Sequence, residues 1–304
     1  MIKKIVLTTC LAFLTYSAVL YMRTPPFTCQ SMWQANVVNM QDFIFGNNKR
    51  KNIIVGSSLA GNSLSSINSK YYYNLSFGGA TLYDGLEVIK KSKIIPQIIF
   101  IETNYYHNVS YVLMDFNKTT FMPIVFDLKK NVPALQEKYQ PVNVLLPFIL
   151  NKIQGIVLKN ENRSNVKKVG PDTVKKTQGT LREKSIFEEM LKIQKKNYNW
   201  IPDKKIMDAS CKKLEEYIVY FQKSGVKIVF FEIPVDKCLC SAPFAEHLRG
   251  YLRKQFKPGD YNYIPMPDCS LYNTGDGIHL DNQSASIYKE YFLKEADKII
   301  RTMR

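Results

Sequence analysis

The chain carries three histidines in 304 residues, and one of them stands in a setting suited to proton transfer. In Thr274-Gly275-Asp276-Gly277-Ile278-His279-Leu280-Asp281, an acid precedes a histidine by three residues. That spacing lets both side chains share one side of a turn. The carboxylate can then hold the imidazole in one tautomer while the other ring nitrogen takes a proton from a nucleophile. Hydroxyl groups for such a base occur in Val55-Gly56-Ser57-Ser58-Leu59, and further polar turns lie at Gly78-Gly79 and Asn104. The chemistry this set could perform is acyl transfer through a serine ester. His107 and His247 lack comparable neighbours and read as surface or packing residues. Cys238-Leu239-Cys240 is at most half a metal site, and no second close cysteine pair completes it. No metal and no cofactor are therefore expected.

Those turns need elements to position them. Asn52-Ile53-Ile54-Val55 is a short apolar run that enters the Gly-Ser-Ser turn, as a buried strand would. Further strands are predicted at Tyr71–Leu75, Gln97–Ile101 and Val226–Ile233, with a shorter one at Tyr261–Ile264. Helical spacing appears over Leu82–Lys91 and Ser210–Ser224. It returns over Gln283–Arg301, where Asp281 or Asn282 supplies the cap. Strands alternating with helices predict an α/β fold with a parallel sheet covered on both faces. Ligands bind such sheets beyond the carboxyl ends of the strands. Gly56-Ser57-Ser58, Gly78-Gly79 and Asn104 each follow a strand, so they are expected at one edge.

From Tyr105 to about Asp203 the alternation fails. A stretch this long reads as an insertion or cap. Within it, Asn143–Leu158 is apolar, and Lys159–Lys184 holds eight Lys or Arg against three acids. The second segment is expected to be mobile and basic. Together the two could lie on an anionic bilayer or a membrane partner. An ordinary core helix followed by a solvated loop is the plainer reading.

The amino terminus sets the location. Ile5–Met22 is uncharged, and as a helix its 18 residues span roughly 27 Å, just enough to cross a bilayer. Lys3 and Lys4 are expected to stay in the cytoplasm, which sends everything after Arg23 outside. A cleaved signal peptide is the rival, although no small-x-small site follows the run. Leu7-Thr8-Thr9-Cys10 resembles a lipoprotein box only faintly. The predicted order is anchor or signal at 1–23, polar stalk at 24–51 and catalytic domain at 52–304, with its insertion at about 105–203.

With 45% hydrophobic and 22% charged residues, the composition excludes a disordered chain. The net charge of +16 suits an anionic partner such as lipid head groups or a cell-wall polymer, and a genome rich in Lys and Asn accounts for it equally well. An external location argues against nucleic acid. Outside the cytoplasm the cysteines beyond Cys10 can pair, with Cys238 or Cys240 joined to Cys269 as the leading options.

Val55-Gly56-Ser57-Ser58-Leu59, Asn74-Leu75-Ser76-Phe77-Gly78-Gly79-Ala80-Thr81, Phe100-Ile101-Glu102-Thr103-Asn104 and Asp276-Gly277-Ile278-His279 occur in that order. They resemble the four blocks of the SGNH (GDSL-like) hydrolase family, over essentially Asn52 to Arg304 apart from the insertion. The resemblance implies a flavodoxin-like sandwich with a five-stranded parallel sheet. It makes Ser58 the nucleophile, His279 the base and Asp276 the residue that orients it. Ser58 N–H, Gly79 N–H and the Asn104 amide would form the oxyanion hole. Two positions depart from the pattern. Ser57 stands where the family usually has Asp, and Glu102 and Tyr105 replace a glycine and an acid around Asn104. Gly-Ser-Ser is similar to membrane-anchored envelope members, such as the D-alanyl-lipoteichoic acid transfer protein and alginate O-acetylation proteins, which work beside a membrane-bound O-acyltransferase. The implied activity is O-acyl transfer to an envelope polysaccharide or teichoic acid-like polymer. An esterase of envelope glycans, or a non-catalytic scaffold that keeps the fold, are the alternatives.

Overall fold

β-Branched residues crowd the apolar runs, and such side chains favour a pleated, buried backbone. The computed structural model describes residues 1–22, 29, 31–46, 51–69, 71–109, 119–144 and 172–303, with backbone alone for 172–183. Its strands are β1 (Asn52–Val55), β2 (Tyr72–Asn74), β3 (Ile98–Glu102), β4 (Lys227–Phe231) and β5 (Asn262–Tyr263). They form one sheet in the order β2-β1-β3-β4-β5, and every pairing is parallel. The register places Ile54 beside both Asn74 and Phe100, and Phe100 beside Val229. Every residue of β1 and β3 is buried, so both faces of the sheet must be covered.

The helices are α1 (Ile2–Met22), α2 (Met32–Phe45), α3 (Ser58–Ser63), α4 (Leu82–Ser92) and α5 (Pro123–Asn131), then α6 (Asp172–Tyr198), α7 (Lys204–Gln222), α8 (Lys237–Cys240), α9 (Pro243–Gln255) and α10 (Asn282–Thr302). Phe292 of α10 packs its ring against Phe100 at 5.3 Å and Phe231 at 5.0 Å. Gly85 of α4 lies so close to Val55 and the Leu75 carbonyl that a β-carbon would sit 2.9 Å from each. Val55 points to the face opposite Phe100, because Ile54 and Phe100 are in register and side chains alternate along a strand. Thus α4 and α10 cover opposite faces. Leu214, Ile218 and Phe221 give α7 its own buried stripe.

The chain divides into two compact units. Residues 47–114 and 171–304 make the sheet unit, and residues 1–46 and 115–170 make the other. In the second unit, α1 is long and apolar enough to span a membrane by length and composition. Tyr16 donates its hydroxyl to the Tyr139 carbonyl at 2.6 Å, and Lys138 pairs with Asp42 at 3.3 Å.

All five predicted strands appear within a residue or two of their expected ends, and Asp281 proves to be the cap of α10, accepting the Ser284 N–H at 2.7 Å. The residues expected as a polar stalk hold α2, whose Val37, Met40 and Phe43 are buried. Of the stretch expected to be mobile and basic, residues 159–171 lie outside the described residues, and the chain is helical from Asp172 onward. Of the expected insertion at about 105–203, residues 105–114 and 171–203 belong to the sheet unit and 115–170 to the other. Most of the apolar segment, residues 145–158, lies outside the described residues. Of the two cysteine pairings left open, the structure has Cys240–Cys269, with Cα atoms 6.5 Å apart and Cys238 free.

Candidate active site

β1 ends at Val55 and the chain turns at once into α3, which lifts Ser57 and Ser58 off the carboxyl edge of the sheet. Ser57 is the N-cap of α3, and its hydroxyl oxygen accepts the Leu59 N–H at 3.2 Å. The turn is tight enough that only glycine fits at position 56. A β-carbon there would lie 2.7 Å from the Glu102 carboxyl and 2.8 Å from Ala60. Ser58 opens the helix, where a backbone N–H has no intrahelical acceptor.

The second part of the site comes from the loop before α10. The Gly275 N–H donates to the His279 carbonyl at 2.8 Å, and Thr274 bridges Leu280. This closes a small hairpin around Asp276, with Gly277 in the left-handed region at φ +94°. Inside it, Asp276 Oδ1 accepts the N–H groups of Ile278 and His279 at 3.0 and 2.8 Å. Oδ2 lies 2.7 Å from His279 Nδ1. Burial pushes the Asp276 carboxyl up, but the His279 N–H, the imidazole and the Ile278 N–H outweigh it and hold it below the ordinary carboxylate range.

The two parts meet at His279 Nε2, which lies 2.9 Å from Ser58 Oγ. With the ring proton on Nδ1 facing Asp276, Nε2 is free to accept the serine hydroxyl. Ser58, His279 and Asp276 therefore form one continuous hydrogen-bonded line. Arranged so, they can move a proton off the Ser58 hydroxyl as it attacks a carbonyl.

The other predicted site residues divide. Gly79, at φ +67°, lines the same cavity as Ser58. Asn104 does not line it. Its amide NH₂ donates to the Ile233 carbonyl at 2.8 Å, and its amide oxygen accepts the Ile233 N–H at 2.8 Å. The amide laces the exits of β3 and β4 together. Below Ser58 lies Glu102, 1% exposed. Its Oε2 accepts the N–H and hydroxyl of Ser57 at 2.6 and 2.7 Å, and Oε1 accepts the Asn104 N–H at 3.2 Å. Burial raises its pKa above the ordinary range, against the pull of the Ser57 N–H and hydroxyl and the Asn104 and Ala60 N–H groups.

The cavity holds about 660 Å³ and has mixed walls. Ser57, Ser58, Gly79 and Glu102 form one part, and Tyr105, His107, Tyr198, Trp200 and Phe244 form another. The Phe244 ring centre lies 5.1 Å from those of His107 and Tyr198 and 6.3 Å from that of Trp200. Gln194, Lys196, Asn197 and Asn108 add polar groups. Burial lowers the His107 pKa to about 4, so the ring is neutral near pH 7. Its Nδ1 is buried and has no hydrogen-bond partner among the described residues. Sequence reading took His107 for a surface or packing residue and missed this wall. The aromatic cluster Tyr198-Asn199-Trp200 was its single local signal. Among the described residues no group of three or more His, Cys, Asp or Glu is placed to hold a metal.

Comparison with protein-family profiles, with curated proteins and with solved structures finds no match for this chain.

Proposed function

We propose that this chain is a serine-dependent O-acyltransferase of the SGNH type, acting on a cell-envelope polysaccharide or teichoic acid-like polymer. The observation that carries the reading is the Ser58–His279–Asp276 line, with contacts of 2.9 and 2.7 Å. The strand order β2-β1-β3-β4-β5 also agrees with a flavodoxin-like doubly wound sheet.

In the proposed reaction, Ser58 Oγ attacks the carbonyl carbon of an acyl donor while His279 Nε2 takes the hydroxyl proton. The tetrahedral oxyanion is held by the N–H groups of Ser58 and Gly79. Collapse breaks the donor ester bond, His279 returns the proton to the leaving oxygen, and acyl-Ser58 remains. A sugar hydroxyl of the polymer then gives its proton to His279 and attacks the acyl carbon, the bond from Ser58 Oγ to that carbon breaks, and His279 returns the proton to Ser58 Oγ as the new ester leaves. Asp276 stays ionised throughout and stabilises the imidazolium. No cofactor takes part.

The cavity favours a ring-bearing acceptor. Aromatic walls stack on the C–H faces of sugars, and the amides of Asn108, Gln194 and Asn197 suit hydroxyl groups. In this reading α1 anchors the chain in the cytoplasmic membrane, with Lys3 and Lys4 inside and the sheet unit on the outer side. A membrane-bound O-acyltransferase would supply acyl groups there. The deciding experiment is mass spectrometry of protein mixed with p-nitrophenyl acetate and an envelope glycan. Acetyl on Ser58 that passes to the glycan supports the transferase. Acetyl that passes to water alone makes the protein an esterase, and no acetyl-Ser58 at all overturns the reading.

A further inference from the structure

We infer that Glu102 is a positioning residue for the nucleophile, setting through Ser57 where the hydroxyl and N–H of Ser58 point. The inference rests on the reading of Ser58 as the nucleophile. A buried carboxyl group is costly at the end of a strand unless it is hydrogen-bonded. The four residues before Glu102 are Ile98-Ile99-Phe100-Ile101, so an apolar side chain would extend the buried run without that penalty. Instead the carboxyl sits 1% exposed and receives bonds from the very turn that presents Ser58.

The path is short. Glu102 Oε2 draws both donors of Ser57, at 2.6 and 2.7 Å. Ser57 Oγ in turn accepts the Leu59 N–H at 3.2 Å, which fixes the first turn of α3 on either side of Ser58. The carboxyl also fills the space at position 56, so the backbone of the turn lies directly against it.

A second branch runs toward the base. Glu102 Oε1 holds the Asn104 N–H, and the Asn104 amide holds Ile233 through two bonds of 2.8 Å. Three residues on, the Asp236 N–H donates to the Gly277 carbonyl at 2.8 Å, inside the hairpin that carries Asp276 and His279. Glu102 therefore stands where the exits of β1 and β3 meet, with a connected route to the exit of β4 and the base. Reaction rates respond steeply to such placement, since a misplacement of about 1 Å can lower a rate about 100-fold.

The test measures how fast a fluorophosphonate probe labels Ser58 in the full-length protein, beside the thermal midpoint and the kcat and KM for p-nitrophenyl acetate. Glu102→Gln keeps the side-chain shape but leaves a single acceptor oxygen, so it cannot accept the Ser57 donors and the Asn104 N–H together. It is expected to label about 100-fold more slowly, with kcat reduced and KM unchanged. Ser57→Ala, which removes only the hydroxyl, is expected to label about tenfold more slowly while keeping its midpoint. Ser57→Thr, which restores a hydroxyl, should return to the wild-type rate. If the wild type labels and both Ser57→Ala and Glu102→Gln label as fast, the inference is overturned. If Glu102→Gln does not fold, Ser57→Ala decides alone: slow labelling by a folded protein supports the inference, and the wild-type rate overturns it. A wild type that does not label removes the proposed nucleophile, and the inference falls with it.

Discussion

The side-chain amide of Asn104 pairs with the backbone of Ile233 in both directions, donating to its carbonyl and accepting its N–H, each at 2.8 Å. An amide so occupied acts as a clamp between the β3 and β4 exits. Asn104→Ala is therefore expected to lower stability by about 1–3 kcal/mol, by leaving Ile233's polar groups unpaired. Turnover should fall by less than the 10²- to 10³-fold typical of a lost oxyanion donor. Thermal melts and p-nitrophenyl acetate kinetics on the same preparation check this. A fall of more than about 100-fold at an unchanged melting point would mean that Asn104 turns toward the oxyanion during catalysis.

Ser58 and His279 should behave as one unit. Ser58→Ala and His279→Ala are each expected to lower acyl turnover by about 10⁴-fold or more, and the double variant should be scarcely worse than either. Asp276→Asn should be milder but still severe, because the Gly275–His279 backbone pairing of the hairpin still holds the ring near Ser58. Additive losses in the double variant would show that the two residues act separately.

Stability should depend on His107 below neutral pH. Its folded pKa is lowered to about 4, against about 6.5 in an unfolded chain. Between those values the unfolded state binds the proton and the folded state does not. Stability is therefore full above about pH 6.5 and is lost as pH falls toward 4. A His107→Phe protein should have a flatter melting-point profile over this window. An unchanged slope in that variant would assign the acid sensitivity to other groups.

The Cys240–Cys269 bridge closes a loop with a sequence separation of 29 residues. Such a loop contributes about 3–4 kcal/mol by restricting the unfolded chain. Cys240→Ser should lower the melting point, whereas Cys238→Ser should leave it unchanged because that thiol is exposed and free. Peptide mapping without reductant would identify the pair, and a Cys238–Cys269 link would contradict this arrangement.

The amino-terminal helix makes a fifth prediction. Full-length protein should sediment with membranes and resist carbonate extraction, whereas protein lacking residues 1–22 should lose that retention. Sequencing of the mature amino terminus separates the two readings of the segment. A chain that starts after Arg23 is a cleaved product, and one that starts at Met1 keeps its anchor.

Local features of this protein were legible from its residues. The apolar runs around Ile53, Ile99 and Val229 marked buried parallel strands, because a strand's period and composition are written in neighbouring positions. Asp276 and His279 lie three residues apart, so one turn brings them together without help from the rest of the chain. Asp281 could be read as a cap for the same reason.

What the tertiary structure decided involves partners far apart in sequence. Ser58 and His279 are 221 residues apart, Asn104 and Ile233 are 129 apart, and Ser57 and Glu102 are 45 apart. Residue type named Asn104 as a candidate donor, but its direction depended on how closely β3 and β4 leave the sheet. Glu102 read as a departure from a pattern, since nothing adjacent in sequence shows that its carboxyl meets Ser57. The aromatic wall draws Tyr105, the Tyr198–Trp200 pair and Phe244 from three separate segments, and no periodicity links them. Spacing along the chain determines which groups can share one turn, whereas the choice among distant hydrogen-bond partners is made only when packing sets the distance between strand ends.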